Sequence, residues 1–287
     1  MKKFVNLGFA MIIAMAFAFM GCKHSTSEPE PVPQPIVVEG ISGSKVFIEG
    51  RRVEIIPTLW MCDHEVTQAE YTAIMGANPS YFTGTPAEGE TKENRPVDSV
   101  SWYDCLVYCN KRSMEESLTP CYTIGGKTNP AEWGEVPTIS NETWNTVTCN
   151  FEANGYRLPT EAEWEYFARG GNTTNEGQTE YSGSDVIDDV AWYADNSDHK
   201  THEVKKKAPN AKGLYDMSGN VDEWCWDWYE TIEADTPSTG PSSGDFRIIR
   251  GGYLFNDVDP CRVAFHNYYY PWSRGNGNGF RLVRSAN

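Results

Sequence analysis

The chain has 287 residues, 39% hydrophobic, 13% aromatic and 22% charged, a globular composition with an unusual load of ten Trp and fifteen Tyr. Lys+Arg 24 against Asp+Glu 40 gives a net charge of −16, so no basic excess exists to neutralise nucleic-acid phosphate. A mean hydropathy of −0.54 and a single long apolar run exclude a multi-span membrane protein.

The chain opens as a targeting segment. Lys2 and Lys3 precede an apolar stretch from Phe9 to Met20, too short for a comfortable transmembrane helix, followed by Gly21 and Cys22. The order Phe19-Met20-Gly21-Cys22 resembles a bacterial lipobox, with Phe19 and Met20 where Leu and Ala or Ser are usual. Residues 1–21 are therefore expected to be a lipoprotein signal peptide and Cys22 the lipidation site; an ordinary signal peptide with a chance Cys is the alternative. Residues 22–35 are rich in Ser, Glu and alternating Pro, which stays extended and buries no core. This stretch reads as a tether holding residues 36–287, one acidic domain, off a membrane.

Lys45–Glu49 and Arg52–Ile55 flank Gly50-Arg51 as a β-hairpin signal. Thr67 and Glu70 form a capping box ahead of Tyr71, Ile74 and Met75, with Gly76 as the stop. Ser101 opens a helix carrying Trp102, Cys105, Leu106 and Cys109 on one stripe. Thr160 and Glu163 make a further capping box, ended by Gly170-Gly171. Arg247–Arg250 and Phe280–Arg284 read as strands, and 172–241 is largely turn residues. Few helices, short strands and much loop describe an α+β domain.

Seven cysteines follow Cys22 with no Cys-x-x-Cys pair, so a zinc ribbon is not indicated. The odd number leaves at least one thiol unpaired within the chain. Cys105 and Cys109 are expected as buried core thiols, whereas Cys121 and Cys149 can pair or stay free. Trp224, Trp226 and Trp228 alternate, so on a strand they share a face; core filling is favoured over a sugar platform. Gly275–Gly279 reads as a flexible turn, since no Lys-Ser/Thr follows it as a phosphate loop requires.

Seven blocks occur in order: His64-Glu65-Val66-Thr67, Arg95-Pro96-Val97 with Val100-Ser101-Trp102, Tyr156–Glu165, Gly213–Val221, Glu223-Trp224, Arg250-Gly251-Gly252 and Gly279-Phe280-Arg281. The series resembles the formylglycine-generating enzyme (sulfatase-modifying factor) family across about residues 45–285. That resemblance implies a loop-rich variant of the C-type lectin fold. It also implies a structural Ca²⁺ site from Asp216, Glu223 and the carbonyls of Gly219 and Val221, a mixture of hard oxygens that suits the ion. The alternative is a solvated turn held by side-chain hydrogen bonds. Family enzymes use two copper-holding cysteines five residues apart. Here Asn256 stands at the first position and only Cys261 matches the second. One thiolate provides neither paired soft coordination nor an intramolecular disulfide cycle, so no catalytic residue or catalytic cofactor is expected, and Cys261 is expected as a buried thiol.

Tyr253 to about 278 is the informative stretch. Tyr253, Phe255, Asn256, Asp257, Asp259, His266, Asn267, Tyr268, Tyr269, Tyr270 and Ser273 combine amphipathic rings with short polar groups, the mixture adaptable binding loops use. Randomising the adenines of Asn codons never yields Lys, Glu, Gln, Met or Trp, and positions 253–260 and 266–271 contain none of them; Lys, Glu, Gln and Met are, however, also missing elsewhere from Ala234 onward. The pattern is similar to variable proteins of diversity-generating retroelements, of the lipid-anchored Treponema kind. The expectation is a lipoprotein on the bacterial envelope, at the outer membrane and surface-exposed, binding a protein or glycan on another surface. A non-diversified surface binding module is the alternative, and a formylglycine-generating oxidase a more distant one.

Overall fold

The computed structural model describes the backbone of residues 36–38, 41–46 and 52–55, and residues 56–172, 177–231 and 236–286 in full. The signal segment, Cys22 and the tether lie outside the described residues. Strands β1 (Ile36–Val38), β2 (Ile41–Val46), β3 (Arg52–Ile56) and β4 (Leu59–Met61) come first. The β2–β3 hairpin forms as expected, but β2 begins earlier, at Ile41, and carries an irregularity between Ser42 and Lys45.

Each capping box forms. Thr67 and Glu70 start α1 (Gln68–Met75), and Gly76 closes it in the left-handed region at φ 82°. Ser101 and Asp104 start α2 (Trp102–Glu115), whose Trp102, Tyr103, Cys105, Leu106 and Cys109 are all fully buried. After β5 (Tyr122–Thr123), the single turn α3 (Glu142–Asn145), β6 (Thr148–Cys149) and β7 (Tyr156–Arg157), Thr160 and Glu163 start α4 (Glu161–Ala168). A further turn, α5 (Ile187–Val190), precedes β8 (Asp222–Trp228) and β9 (Arg247–Arg250). The chain ends in β10 (His266–Tyr269), β11 (Asn278–Gly279) and β12 (Val283–Ser285).

One four-stranded sheet has the order β1-β4-β12-β7 and a second β10-β9-β8-β11; β2-β3 and β5-β6 are two-stranded. The expected last strand is split. Asn278 and Gly279 pair in parallel with Asp222 and Glu223, whereas Val283–Ser285 pairs antiparallel with β4. Between them, Phe280 and Leu282 carbonyls accept from Val66 and Cys62 amides, so this segment fastens the two main sheets together. The Gly275–Gly279 stretch is correspondingly pinned rather than flexible: the Gly275, Gly277 and Asn278 carbonyls accept from Ser99, Asp222 and Val100.

Candidate ligand-binding site

The C-terminal segment leaves β9 through Gly251-Gly252, both at positive φ, and a Cβ on Gly252 would lie 2.7 Å from the Pro260 carbonyl oxygen, so only glycine fits. The backbone beyond is tied down. Leu254 is fully buried, donates to the Asn220 carbonyl and accepts from the Ser197 hydroxyl. The Asn256 carboxamide accepts the Tyr253 amide at 2.9 Å, and its backbone carbonyl accepts from Ala194. Asn256 therefore closes a turn with the group it would otherwise offer to a ligand.

Seven of the eleven candidate residues gather on the two faces of β10 and beside them. His266 and Tyr268 share one face of β10, an edge strand paired to β9. Tyr229 lies 5.6 Å from the His266 ring and 4.0 Å from that of Tyr268. Phe246 continues this row, 4.8 Å from Tyr268 and 4.5 Å from Tyr270, and Tyr270 stacks on Trp272. On the other face, Tyr269 joins Tyr253, Ser273 and Gly275–Asn278 around a cavity of about 340 Å³. A Cβ at Gly277 would lie 2.3 Å from the Tyr253 ring, so this glycine makes room for it. Phe255 meets Tyr253 edge-on at 5.9 Å and extends this group to Phe82 at 6.1 Å and His199 at 5.7 Å.

The polar members differ in how free they are. Asp257 and Asp259 are exposed, and Asp259 pairs with Arg262 at 3.0 Å. Asn267 accepts the Tyr268 amide. His266 is held by Glu161 at 3.0 Å, and Glu161 lies 3.4 Å from the buried Arg250, which also binds Glu165. Tyr229, Phe246, Phe82 and His199 were not among the residues singled out by sequence. They join the site through tertiary proximity, for which no local pattern exists.

The residues proposed for Ca²⁺ do not form a cation cage. Both Glu223 oxygens accept from Arg281, each at 2.6 Å, and one also accepts from the Trp164 indole at 2.7 Å. Asp216 accepts the Lys205 amide, its second oxygen is buried without a hydrogen-bond partner, and burial pushes its pKa up to about 6. The intervening turn is braced by Glu65, which accepts from the Asn220 carboxamide and the Val221 amide. Among the described residues no cluster of three or more His, Cys, Asp or Glu side chains could hold a metal. The block is a buried salt-bridge network, a use of Glu223 that Arg281 decides.

Cys261 is fully buried beside Tyr181, Val190 and Tyr193, and burial pushes its thiol up to about 12. It has little thiolate to offer a metal or oxidant at neutral pH. Cys105 and Cys109 are buried free thiols as expected, and Cys121 and Cys149 are both free as well. Asp222, fully buried, titrates at about 8 because desolvation outweighs the hydrogen bond from the Gly252 amide. Of the three alternating tryptophans, Trp224 and Trp228 are core, whereas Trp226 is half-buried.

Such a scaffold, small sheets and short helices presenting ordered loops, is that of the C-type-lectin-like folds of the formylglycine-generating type. Residues 25–286 match the sulfatase-modifying factor enzyme 1-like domain, and the chain belongs to this family. It is 37% identical over 298 residues to the chaperone protein LppX of Paenibacillus barcinonensis, covering 96% of this chain and 97% of that protein. The formylglycine-generating enzyme of Streptomyces coelicolor is 36% identical over 168 residues, 52% of each chain. Among solved structures, Treponema denticola variable protein 1 superposes with a TM-score of 0.76 at 38% identity, covering 86% of this chain and 94% of that one. The family thus joins relatives named as enzymes to relatives that are not.

Proposed function

We infer that this protein is a lipid-anchored lipoprotein of the bacterial cell envelope, displayed at the outer surface, that binds a protein or glycan on another surface. The contact residues are Tyr253, Phe255, Asp257, Asp259, Asn267, Tyr268, Tyr269, Tyr270 and Ser273, with His266 and Asn256 fixing the loops that carry them. The observation that carries this reading is the exposure of these rings and short polar groups, partial for Tyr253, Asn267 and Ser273, on a backbone tied into the core, next to a thiol that is buried and unpaired. Burying one such ring against a target is worth roughly 1.5–3 kcal/mol before ordering costs. Anchoring rests on the lipobox-like Phe19-Met20-Gly21-Cys22, and two acyl chains would make it stable. The absence of the first family cysteine, at Asn256, argues against oxidase chemistry. The likeness to a protein named a variable protein supports diversification of this region.

Sequencing the 3′ end of the gene across isolates tests the reading. Diversification predicts substitutions at adenine positions of Asn codons, concentrated at the exposed residues above and sparing the buried Leu254 and Pro271. Variation spread evenly along the domain, or blind to codon position, would remove diversification and leave a binder of one specificity. Conversion of a sulfatase-derived cysteine peptide to its aldehyde by the purified protein would overturn the binding reading in favour of the enzyme.

A further inference from the structure

A larger cavity lies elsewhere in the domain. It measures about 720 Å³, and no residue from 253 to 273 lines it. Its walls are the Asn145–Thr148 segment, Phe151, Trp226 and Trp228 of β8, Arg247 of β9 and the loop 237–244. This volume lies within the usual range for small-ligand pockets.

Arg247 is the unusual feature. Its side chain is buried, with the residue only 1% exposed. The guanidinium carbon sits 3.4 Å from the centre of the Trp228 ring and 3.7 Å from that of Trp102, sandwiched between two indoles. It donates to the Trp226 carbonyl and feels the charge of the Asp227 carboxylate, but Nε is buried with no hydrogen-bond partner. Desolvation pushes its pKa well down, yet a guanidinium does not lose its proton in a protein. Cation–π attraction to the two desolvated rings offsets part of that burial cost. What remains is a buried guanidinium in a cavity wall, with one N–H, that of Nε, left without a partner.

The rest of the lining is chemically selective. The chain carries 40 acidic residues, yet among the described residues no Asp, Glu or Lys lines this cavity, and Arg247 is the one charged side chain there. The rim carries exposed hydroxyls from Thr146, Thr148, Ser242 and Ser243, and the half-buried Trp226 and Phe151 present apolar surface. We propose that this cavity is a second binding site, separate from the 253–273 region, for a saccharide that carries a carboxylate. Arg247 receives the carboxylate, Trp226 takes the apolar face of the sugar ring, and the rim hydroxyls bind its hydroxyl groups.

Isothermal titration of the full chain with trigalacturonate, a glucuronic acid oligosaccharide and sialyllactose, against maltotriose and lactose as neutral counterparts, tests this. At least one acidic sugar should bind saturably, about tenfold or more tighter than its neutral counterpart. Arg247→Gln should weaken that binding at least about tenfold, and so should Ser243→Trp, which fills the mouth from an exposed rim position. Tyr268→Ala should leave it unchanged, which separates this site from the one proposed above. If Arg247→Gln does not fold, Ser243→Trp decides. Failure of every acidic sugar to bind, equal binding of neutral sugars, or binding untouched by Ser243→Trp would overturn the proposal.

Discussion

Replacing Tyr268, Tyr269 and Tyr270 singly with Ala separates a binding surface from a misread core. The three rings are 38%, 38% and 44% exposed, whereas Tyr103 on α2 is 0% exposed. Full burial of a large apolar side chain is worth about 1.5–3 kcal/mol, so rings that bury little more than half their area forfeit about 1–2 kcal/mol each. Tyr268 and Tyr270 stand at the upper end, because each also loses two close ring contacts, Tyr268 with Tyr229 at 4.0 Å and Phe246 at 4.8 Å, Tyr270 with Phe246 at 4.5 Å and Trp272 at 4.6 Å. For a domain of this size each kcal/mol moves Tm by about 2–4 °C. Each of the three variants should therefore melt cooperatively, about 2–8 °C below the parent. Tyr103→Ala leaves a cavity in the core and should cost about 3–5 kcal/mol. Thermal melts followed by far-ultraviolet circular dichroism, with urea titrations for the free energies, give both numbers. If any of the three surface variants cost as much as Tyr103→Ala, that ring would be a structural element and could not be exchanged to alter specificity.

Glu223→Gln leaves the Arg281 charge buried without its counterion and should cost about 3–5 kcal/mol in urea unfolding, while Glu223→Met with Arg281→Met should recover much of it; a loss below about 1 kcal/mol for the single variant would mean the pair does not hold the sheets. Burial raises the Asp222 carboxyl from 3.8 to about 8. The folded state thus keeps a proton that the unfolded state releases, and the resulting stability is complete below pH about 4 and lost as pH rises through about 8. Asp222→Asn should flatten this fall, so the free-energy difference between parent and variant changes from pH 5 to pH 8.5; parallel curves would refute the assignment. Cys261, buried with its thiol pushed up to about 12, should react with a maleimide only as fast as the domain opens. Labelling within seconds in native buffer, read by mass spectrometry, would contradict its burial.

Local chemistry and long-range pairing account for what was and was not legible in the chain. Thr67, Ser101 and Thr160 announced their helices because a capping box is an i to i+3 relation, complete within four residues. Boundaries of strands were less legible, since pairing partners supply half of the definition. His266–Tyr269 reads as loop, yet the neighbouring β9 recruits it as an edge strand in register with Arg250 through Arg247. The same reasoning explains the calcium expectation. Asp216 to Glu223 has the right oxygens at the right spacing, but the fate of Glu223 is set by Arg281, 58 positions further on. A buried carboxylate that accepts two hydrogen bonds from a guanidinium and one from an indole has most of its acceptor capacity already engaged.

Arg247 and Arg281 carry this contrast into function. Both are buried arginines, and Arg281 belongs to the Gly279-Phe280-Arg281 block whereas Arg247 lies in no such block. Arg281 meets a carboxylate, its charge is consumed, and it is structural. Arg247 meets aromatic faces and the Trp226 carbonyl instead, which leave its Nε without a hydrogen bond. An unsatisfied buried donor costs about 1–3 kcal/mol. A domain retains such a cost more readily where the open donor faces a cavity that a ligand can fill. The two arginines are therefore told apart by what the fold places opposite them.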